Sequence, residues 1–291
     1  MPDRQTPLAI TTNLRATFGM GVAGNFAGHL EQAGEAADFV RVAAGEAMPK
    51  GIFPWYVPGD ASFLGSFPLS HDELAIPACA PSEAPHRIQI EPELGVKFDV
   101  VRSATGHIKS LIPQWAAAFD DCSLRRPGAR RISEKKNWGH ASKGIANRAF
   151  EITDLDRNGS LASMRLACLL GRNGDTIRYG TDSAIATYTL FGDDLVAWLV
   201  DRLEQQRATS DTPLEDVGAL LAASGATSLL VGVGATRYEP YGESTFVQEG
   251  DEAIVVVYDA DVHAADEIAS FIHERRDSEL VSASVLRRTA R

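Results

Sequence analysis

Two glutamates separated by one proline are the first residues whose types and spacing suggest chemistry. Glu91 and Glu93 lie two positions apart, and on a strand such side chains point to the same face. Apolar neighbours predict that this strand is largely buried: Ile88, Ile90, Leu94 and Val96. Two buried like charges need a positive partner. That partner is either a metal ion or a lysine or arginine side chain.

A second acidic pair, Asp120 and Asp121, follows an apolar run that begins at Gln114. A third carboxylate from this pair would complete an oxygen-rich site. Carboxylate oxygens are the ligands of hard cations, so such a site would suit Mg²⁺, Mn²⁺ or Ca²⁺ rather than zinc.

The segment Gly19–Gly24 spells G-x-G-x-x-G, the pattern of a dinucleotide-binding turn. That turn requires a core strand before it and an acidic residue at the end of the next strand. Residues 13–18 make a poor core strand, and Asp38 precedes its apolar run instead of ending it. We therefore expect the glycines to form a tight turn beside the site.

The segment Asp154–Gly159 resembles the opening of a calcium-binding loop of the EF-hand kind. The twelfth position of such a loop carries a bidentate glutamate, whereas this chain has Arg165 there. The segment is predicted to be an ordinary turn.

Five segments, taken in order, resemble the signature motifs of the fumarylacetoacetate hydrolase superfamily. They are GNFAGHLEQ (24–32), IEPELGV (90–96), DCSLR (121–125), WGHASKG (138–144) and GVGAT (232–236). The family's own patterns are a glycine followed by N-Y-x-x-H-x-x-E, then E-x-E, D-x-[ST]-x-R, W-x-x-[AG]-K and a G-T-P loop. The resemblance covers residues 18–258 and indicates an outlying branch of the superfamily.

The resemblance implies a β-rich mixed roll or sandwich with peripheral helices. It assigns the metal to Glu91, Glu93 and Asp121, with Mg²⁺ or Mn²⁺ as the expected ion and Ca²⁺ as a further candidate. The family's catalytic histidine falls on His29 and its lysine on Lys143. When a C–C bond of an oxo acid breaks, enolate charge develops that a metal and a lysine both stabilise, and a histidine of near-neutral pKa moves the proton.

One departure from the family concerns the acid three residues after the histidine, which is Gln32 in this chain. Glu31 and Glu35 are near but out of register. We take Glu31 as the candidate that replaces the missing acid, with Glu35 as the alternative. The departure leaves hydrolysis, decarboxylation and isomerisation open.

Three further residues are predicted to bind substrate, namely Asn25, Thr236 and Arg237. Arg237 follows the glycine-rich turn and either binds a substrate carboxylate or lies on the surface. Arg125 and Arg126 are expected to make structural ion pairs, and Lys135 and Lys136 to form a solvated charge pair.

The elements that must position these residues are mostly strands. The patterns predict strands at 88–101, 228–233 and 253–258, and a hairpin of 161–170 with 175–178. Helices are predicted at 193–206, 214–223 and 266–275. Because strands and helices do not alternate regularly, a doubly wound sheet is excluded. The predicted fold class is mixed α/β and β-rich.

The predicted organisation is an N-terminal segment (1–17), a single catalytic domain (18–275) and a C-terminal tail (276–291). The 291 residues carry a net charge of −11, which argues against nucleic acid or an anionic membrane as the partner. Three cysteines without a CxxC pair, no signal peptide and no apolar stretch long enough to span a bilayer predict a cytoplasmic protein. The family resemblance also predicts that the protein forms a homodimer.

Three functional hypotheses follow. The first is a divalent-metal-dependent enzyme that hydrolyses or decarboxylates a small oxo acid or diketo acid. The second is a non-catalytic relative that binds a metal or ligand, which Gln32 favours. The third, a nucleotide-dependent oxidoreductase built on Gly19–Gly24, requires a parallel sheet that the patterns do not predict.

Overall fold

The computed structural model describes residues 6–42, 45, 48–79, 85–126 and 128–291. Residues 1–5 of the predicted N-terminal segment lie outside the described residues.

The strands within the described residues are, in chain order, β1 (Leu8–Ala9), β2 (Phe18–Ala23), β3 (Gly51–Tyr56), β4 (Leu69–Ser70), β5 (Glu73–Leu74), β6 (Ile88–Gln89), β7 (Pro92–Arg102), β8 (Ile108–Asp120), β9 (Ser123–Leu124), β10 (Lys143–Ile145), β11 (Arg148–Glu151), β12 (Met164–Arg172), β13 (Asp175–Ala184), β14 (Ser228–Gly232), β15 (Glu252–Asp259) and β16 (Ala283–Ala290). The α-helices are α1 (His29–Gln32), α2 (Ser133–Lys136), α3 (Asp193–Gln205), α4 (Val217–Ser224), α5 (Pro240–Ser244) and α6 (Ala265–His273). Short 3₁₀ helices span Leu14–Ala16, Ala36–Phe39, Phe63–Gly65, Ile185–Thr187 and Asp277–Glu279.

Two sheets enclose one apolar core. In the described part of the chain, the larger sheet has nine strands in the order β1-β11-β8-β7-β14-β2-β3, with β10 joined to β8 and β4 joined to β10. The smaller sheet has the order β13-β12-β15-β16-β5, and a two-stranded piece pairs β6 with β9. The core contains buried side chains from both sheets, such as Phe119 of β8 and Val255 of β15. The fold is therefore mixed α/β and β-rich, as predicted.

Helices cover the outer faces of the sheets. Leu195, Leu199 and Leu203 form the buried stripe of α3, at the spacing of four that places residues on one helix face. Helix α6 buries Ile268 and Ile272 in a second apolar cluster with strand β15. No helix among the described residues is long and apolar enough to cross a membrane.

Most elements predicted from the sequence are confirmed. The strands at 228–233 and 253–258 are β14 and β15, the hairpin is β12–β13, and the helices near 193–206, 214–223 and 266–275 are α3, α4 and α6. The predicted strand at 88–101 is interrupted at residues 90–91, between β6 and β7. Asp154–Gly159 is a turn, in which the Asp154 carboxylate accepts a hydrogen bond from Asp156 N at 3.1 Å.

The predicted turn at Gly19–Gly24 is wrong, because Phe18–Ala23 is the buried strand β2. It runs parallel to β14 and antiparallel to β3. A Cβ at Gly19 would lie 2.2 Å from the Trp55 ring, and one at Gly21 would lie 2.4 Å from the Phe53 ring. The glycines make room for aromatic rings of the neighbouring strand. A phosphate-binding turn does not form there, and the oxidoreductase hypothesis loses its site.

The predicted C-terminal tail is also wrong, because Ala283–Ala290 forms strand β16 inside the smaller sheet. It pairs antiparallel with β15 and parallel with β5. Alternate residues of β16 are buried, including Arg288, which is fully buried. The last residues are therefore part of the core. At the other end, Leu8–Ala9 of the predicted N-terminal segment pairs with β11.

Candidate metal centre

Glu91, Glu93 and Asp121 converge at the edge where β7 and β8 meet. One ligand oxygen from each lies within 4.8 Å of the other two, and all three side chains are buried. Backbone hydrogen bonds join the segments, since Asp121 N donates to Glu91 O at 3.0 Å. The Asp120 carboxylate accepts from Glu91 N at 2.9 Å. The predicted convergence of the three carboxylates is confirmed.

Strand β14 positions Glu93. The Gly234 amide donates to Glu93 Oε2 at 3.0 Å. A Cβ at Gly232 would lie 2.3 Å from the same oxygen, so only glycine allows the carboxylate to come this close to the strand. Gly232 and Gly234, in the segment that resembles the family's G-T-P loop, therefore lie directly against the Glu93 carboxylate of the triad.

Among the described residues, the buried cations that approach the triad most closely are Lys136 and Arg125. Lys136 Nζ is 2.5 Å from Glu91 Oε2 and 2.6 Å from Asp121 Oδ2. Arg125 contacts the other Glu91 oxygen at 2.9 Å and Glu35 at 2.7 Å. The expected structural ion pair of Arg125 is confirmed.

The prediction of a solvated pair is wrong for Lys136, whose side chain is only 3% exposed. Lys136 is the last residue of α2, and the next residue, Asn137, donates hydrogen bonds to Trp55 O at 2.8 Å and Ser66 O at 3.0 Å. These bonds hold the end of the helix against β3, where the Lys136 ammonium lies 5.4 Å from the centre of the Phe53 ring. Lys135 is also mostly covered, with a side chain that is 12% exposed, and it pairs with Glu35 and the half-exposed Asp38.

The three carboxylates differ in protonation behaviour. Burial opposes ionisation of Glu91, but Lys136 and Arg125 outweigh it and hold its pKa well below the usual range. Burial and the neighbouring Asp121 raise the pKa of Glu93 well above its usual value. Burial also raises the pKa of Asp121, although Lys136 and Lys143 oppose that shift. Glu93 and Asp121 are thus harder to ionise than free carboxylates, and a bound cation would favour their charged forms.

The donor set fits a hard divalent cation. All three ligands are carboxylates, which suit Mg²⁺ or Mn²⁺. Both oxygens of Asp121 and Glu91 Oε1 are buried and accept no hydrogen bond of good geometry among the described residues, although charged groups lie close to them. Buried oxygens left in this way are available as metal ligands.

Lys143 lies at the floor of the site. Its side chain is fully buried, and Nζ is 3.6 Å from Asp121 Oδ1. The ammonium donates to the carbonyls of Asp121 and Cys122 at 3.2 and 2.5 Å. Burial lowers the pKa of Lys143, although Asp121 opposes the shift. The structure therefore brings this predicted residue to the triad.

His29 reaches the site from α1. Its Nδ1 lies 2.8 Å from the Thr236 carbonyl, which can only accept, so Nδ1 carries the proton. Burial lowers the pKa of His29, although Glu91 opposes that shift. The ring is therefore neutral at physiological pH, and Nε2 is left as an unprotonated base.

The acids near His29 are arranged differently from the prediction. Glu31 is exposed, whereas Glu35 is bound to Arg125, which holds the pKa of Glu35 low against the effect of burial. Gln32 pairs with the backbone of Tyr238, donating at 3.2 Å and accepting at 2.9 Å. The residue at the family's acid position thus serves to fasten α1 to the chain after β14.

The three predicted substrate-binding residues have different surroundings. The Asn25 side chain is engaged with backbone groups of Leu190 and Val233. Thr236 is buried, and its hydroxyl has no hydrogen-bond partner among the described residues. Arg237 is exposed, with its guanidinium packed beside Gly28. Of the three, Thr236 has a free polar group in a buried position.

A cleft of about 380 Å³ opens next to this cluster. Arg125 connects the two, because it lines the cleft and contacts Glu91. The cleft walls carry three further basic side chains: Arg87, Arg126 and Lys135.

Comparisons with known proteins agree with this fold. The chain superimposes on the crystal structure of Cg1458 with inhibitor, with a TM-score of 0.50 at 12% sequence identity, over 94% of this chain and 76% of that one. A fumarylacetoacetate hydrolase from psychrophilic Exiguobacterium antarcticum gives a TM-score of 0.48 at 11% identity, over 94% and 75% of the two chains. A 2-keto-3-deoxy-D-arabinonate dehydratase complexed with magnesium and 2,5-dioxopentanoate gives 0.46 at 14% identity, over 94% and 73%.

No curated protein matches the sequence. The model of one family matches residues 35–289, which is most of the chain, and that family is described as being of unknown function. The protein therefore has a fold like that of the fumarylacetoacetate hydrolase superfamily, and it belongs to the family of unknown function DUF5718.

Proposed function

We propose that the protein is a divalent-metal-dependent enzyme that breaks a C–C bond of a small oxo acid or diketo acid, by hydrolysis or decarboxylation. The observation that supports this most is the buried triad of Glu91, Glu93 and Asp121, whose oxygens lie within 4.8 Å. A cation held by these residues would supply a Lewis acid for the oxygens of an oxo acid.

The residues around the triad have properties that suit this chemistry. Lys143, fully buried beside Asp121, would stabilise negative charge that develops on substrate oxygens. His29, with Nδ1 bound to Thr236 O, presents Nε2 as a base that takes up or returns a proton. The Thr236 hydroxyl would bind a substrate oxygen, and Asn25 would hold the surrounding backbone. Glu31 has no role in the proposal because it is exposed.

The cleft supports an anionic substrate. Four basic side chains line it together with three acidic ones, namely Arg87, Arg125, Arg126 and Lys135 with Glu35, Asp38 and Glu243. Lys135 is paired with Glu35 and Asp38, so Arg87 and Arg126 are the groups that would attract a carboxylate. Arg237, exposed beside Gly28, is a further candidate for binding a substrate carboxylate. The homodimer remains a prediction of the family resemblance, and the cytoplasmic location remains a prediction from the composition and motifs of the sequence.

The test is turnover of a panel of 2-oxo and 3-oxo acids by the purified chain, with Mg²⁺ or Mn²⁺ and with EDTA. We expect turnover that depends on the metal and is lost in Asp121→Asn together with metal binding. Asp99→Asn is the matched control, because Asp99 lies on the same strand as Glu93 but is half-exposed and paired with Lys97.

The outcomes separate the two remaining hypotheses. A wild-type chain that binds the metal but turns over none of these acids would favour the non-catalytic relative. A chain that binds neither Mg²⁺ nor Mn²⁺ would contradict the metal-dependent enzyme and leave only a non-catalytic relative that binds another ligand.

A further inference from the structure

Lys136 has a contact pattern unlike that of the other cations near the triad. Its ammonium touches two of the three carboxylates at once, Glu91 at 2.5 Å and Asp121 at 2.6 Å. Lys143 lies farther away, at 3.6 Å from Asp121, and makes its two hydrogen bonds to backbone carbonyls. Arg125 contacts only Glu91 within the triad. Lys136 is thus the cation that bridges the ligand set.

The bridging position conflicts with a divalent ion. A hard cation binds carboxylate oxygens at about 2.0–2.6 Å, and the Lys136 ammonium already lies at such distances from Glu91 and Asp121. Two positive charges drawn to the same oxygens would repel each other strongly at this separation, and burial limits screening by solvent. The ion must therefore either share the Glu91 and Asp121 oxygens with the ammonium or displace the ammonium from them.

The surroundings restrict the movement of Lys136. The side chain is 3% exposed, Phe53 flanks it, and Asn137 is bonded to Trp55 O and Ser66 O directly after it. The carboxylates in turn depend on it, because paired buried acids without a cation would be strongly destabilising.

We propose that Lys136 is a resident cation of the triad, which neutralises Glu91 and Asp121 in the metal-free protein and competes with a divalent ion for them. The proposal rests on the metal site of the proposed function. It follows that the chain folds without metal and binds the ion more weakly than the carboxylates alone would. The metal concentration at which the site fills is then set by this chain's own lysine.

The test measures metal affinity and thermal stability, both of which are independent of any substrate. The full-length chain is stripped with EDTA and titrated with MgCl₂ or MnCl₂ in a calorimeter. In Lys136→Met and in Lys136→Gln we expect the Kd for Mg²⁺ to fall by about 10- to 100-fold, the usual range for coupling between two bound groups. The Tm of the metal-free variants should be lower than that of the wild type, and Mg²⁺ should raise it more.

The matched control is Lys135→Met, which removes the adjacent lysine. Lys135 pairs with Glu35 and Asp38, neither of which belongs to the triad, so the Kd for Mg²⁺ should equal that of the wild type. If Lys136→Met folds only with Mg²⁺ present, the inference is supported. The Kd for Mg²⁺ is then measured on Lys136→Gln instead.

Two results would overturn the inference. One leaves the proposed metal site intact, and the other contradicts that site as well. Folded Lys136 variants that bind Mg²⁺ no more tightly than the wild type would show that the lysine does not compete, while the metal site stands. If neither ion binds to the wild type or to any variant, the metal site is wrong, and the proposed function fails with it.

Discussion

Asp120 and Asp121 are adjacent in the chain, yet they belong to two buried charge clusters of different character. Asp120 has one cationic partner, Arg288 of β16, and its other oxygen accepts from Glu91 N at 2.9 Å. Asp121 shares Lys136 with Glu91, and both of its oxygens are buried without a hydrogen bond of good geometry. We call the Asp120 cluster balanced because each oxygen of that carboxylate has a partner. We call the Asp121 cluster unbalanced because neither oxygen of that carboxylate accepts a hydrogen bond of good geometry among the described residues, so it can accept a further cation.

The largest effect that we expect from this comparison is the drop in unfolding free energy when the Asp120–Arg288 pair is broken. Arg288→Met leaves Asp120 buried without a cation, which typically lowers the free energy of unfolding by about 3–5 kcal/mol. Urea denaturation measures the change. Arg276→Met is the control, because it removes an arginine from exposed ion pairs and should unfold like the wild type. If the two variants unfold alike, Arg288 is not the structural partner that its burial indicates.

The next effect concerns catalysis in the unbalanced cluster. Lys143→Met removes a buried ammonium 3.6 Å from Asp121 Oδ1 and, under the proposed function, should lower kcat by about 10²–10³-fold, as the loss of one charge-stabilising group typically does. Metal binding should remain, because Lys143 is not a ligand. The control is Lys109→Met, which changes an exposed lysine on β8. Unchanged turnover in Lys143→Met would remove this lysine from the mechanism.

A third buried carboxylate, Glu215, extends the comparison because it is only 9% exposed, and neither of its oxygens has a hydrogen-bond partner of good geometry within the described residues. Burial raises its pKa to about 7, and Ser133 and Arg131 offset only part of that effect. The folded state therefore holds the proton more tightly than the unfolded state, in which the pKa is near 4.5. The resulting stability is fully present below pH 4.5 and is lost as the pH rises through 7.

Glu215→Gln, which imitates the protonated form, should abolish this pH dependence. Relative to the variant, the wild type should lose up to about 3 kcal/mol of unfolding free energy between pH 5 and pH 8, since one pKa unit corresponds to about 1.4 kcal/mol. Chemical denaturation across this range measures the difference. Parallel curves for the two proteins would show that Glu215 does not titrate between these values.

Two glutamates in an apolar run predicted a buried acidic pair, whereas the family resemblance assigned Asp121 as the third ligand. The patterns of apolar residues predicted most of the elements around the triad. The same acidic pair indicated that the buried acids need a positive partner, but it did not indicate that Lys136 would be that partner. Two adjacent lysines resemble a solvated pair. What buries the second is the position at which α2 ends, together with the hydrogen bonds from Asn137 to Trp55 and Ser66. Contacts between residues so distant in the chain are not visible in a local pattern.

The two wrong elements have similar causes. In β16 the buried positions alternate as in any half-buried strand. Because a charged residue, Arg288, occupies one of these buried positions, the amino-acid pattern of the segment is typical of an exposed tail. In β2 the glycines read as a turn, although they only make room for the rings of Trp55 and Phe53. In both segments a partner from elsewhere in the chain, Asp120 or an aromatic ring, decides the structure.

The smallest effect is expected at the acid that the sequence placed beside His29. Glu31 is exposed, and exposed substitutions typically change free energies by less than about 0.5 kcal/mol, so Glu31→Gln should keep kcat/KM within about twofold of the wild type. Glu35→Gln is the comparison, because Glu35 is bound to Arg125, which in turn contacts Glu91. A lost hydrogen bond to a charged group is worth about 1.5–3 kcal/mol, which corresponds to at least about tenfold in kcat/KM. Steady-state kinetics of both variants with the same oxo acid decide the order. If Glu31→Gln is the more damaged of the two, an exposed carboxylate takes part in the reaction, and the division between balanced and unbalanced buried clusters does not locate all of the chemistry.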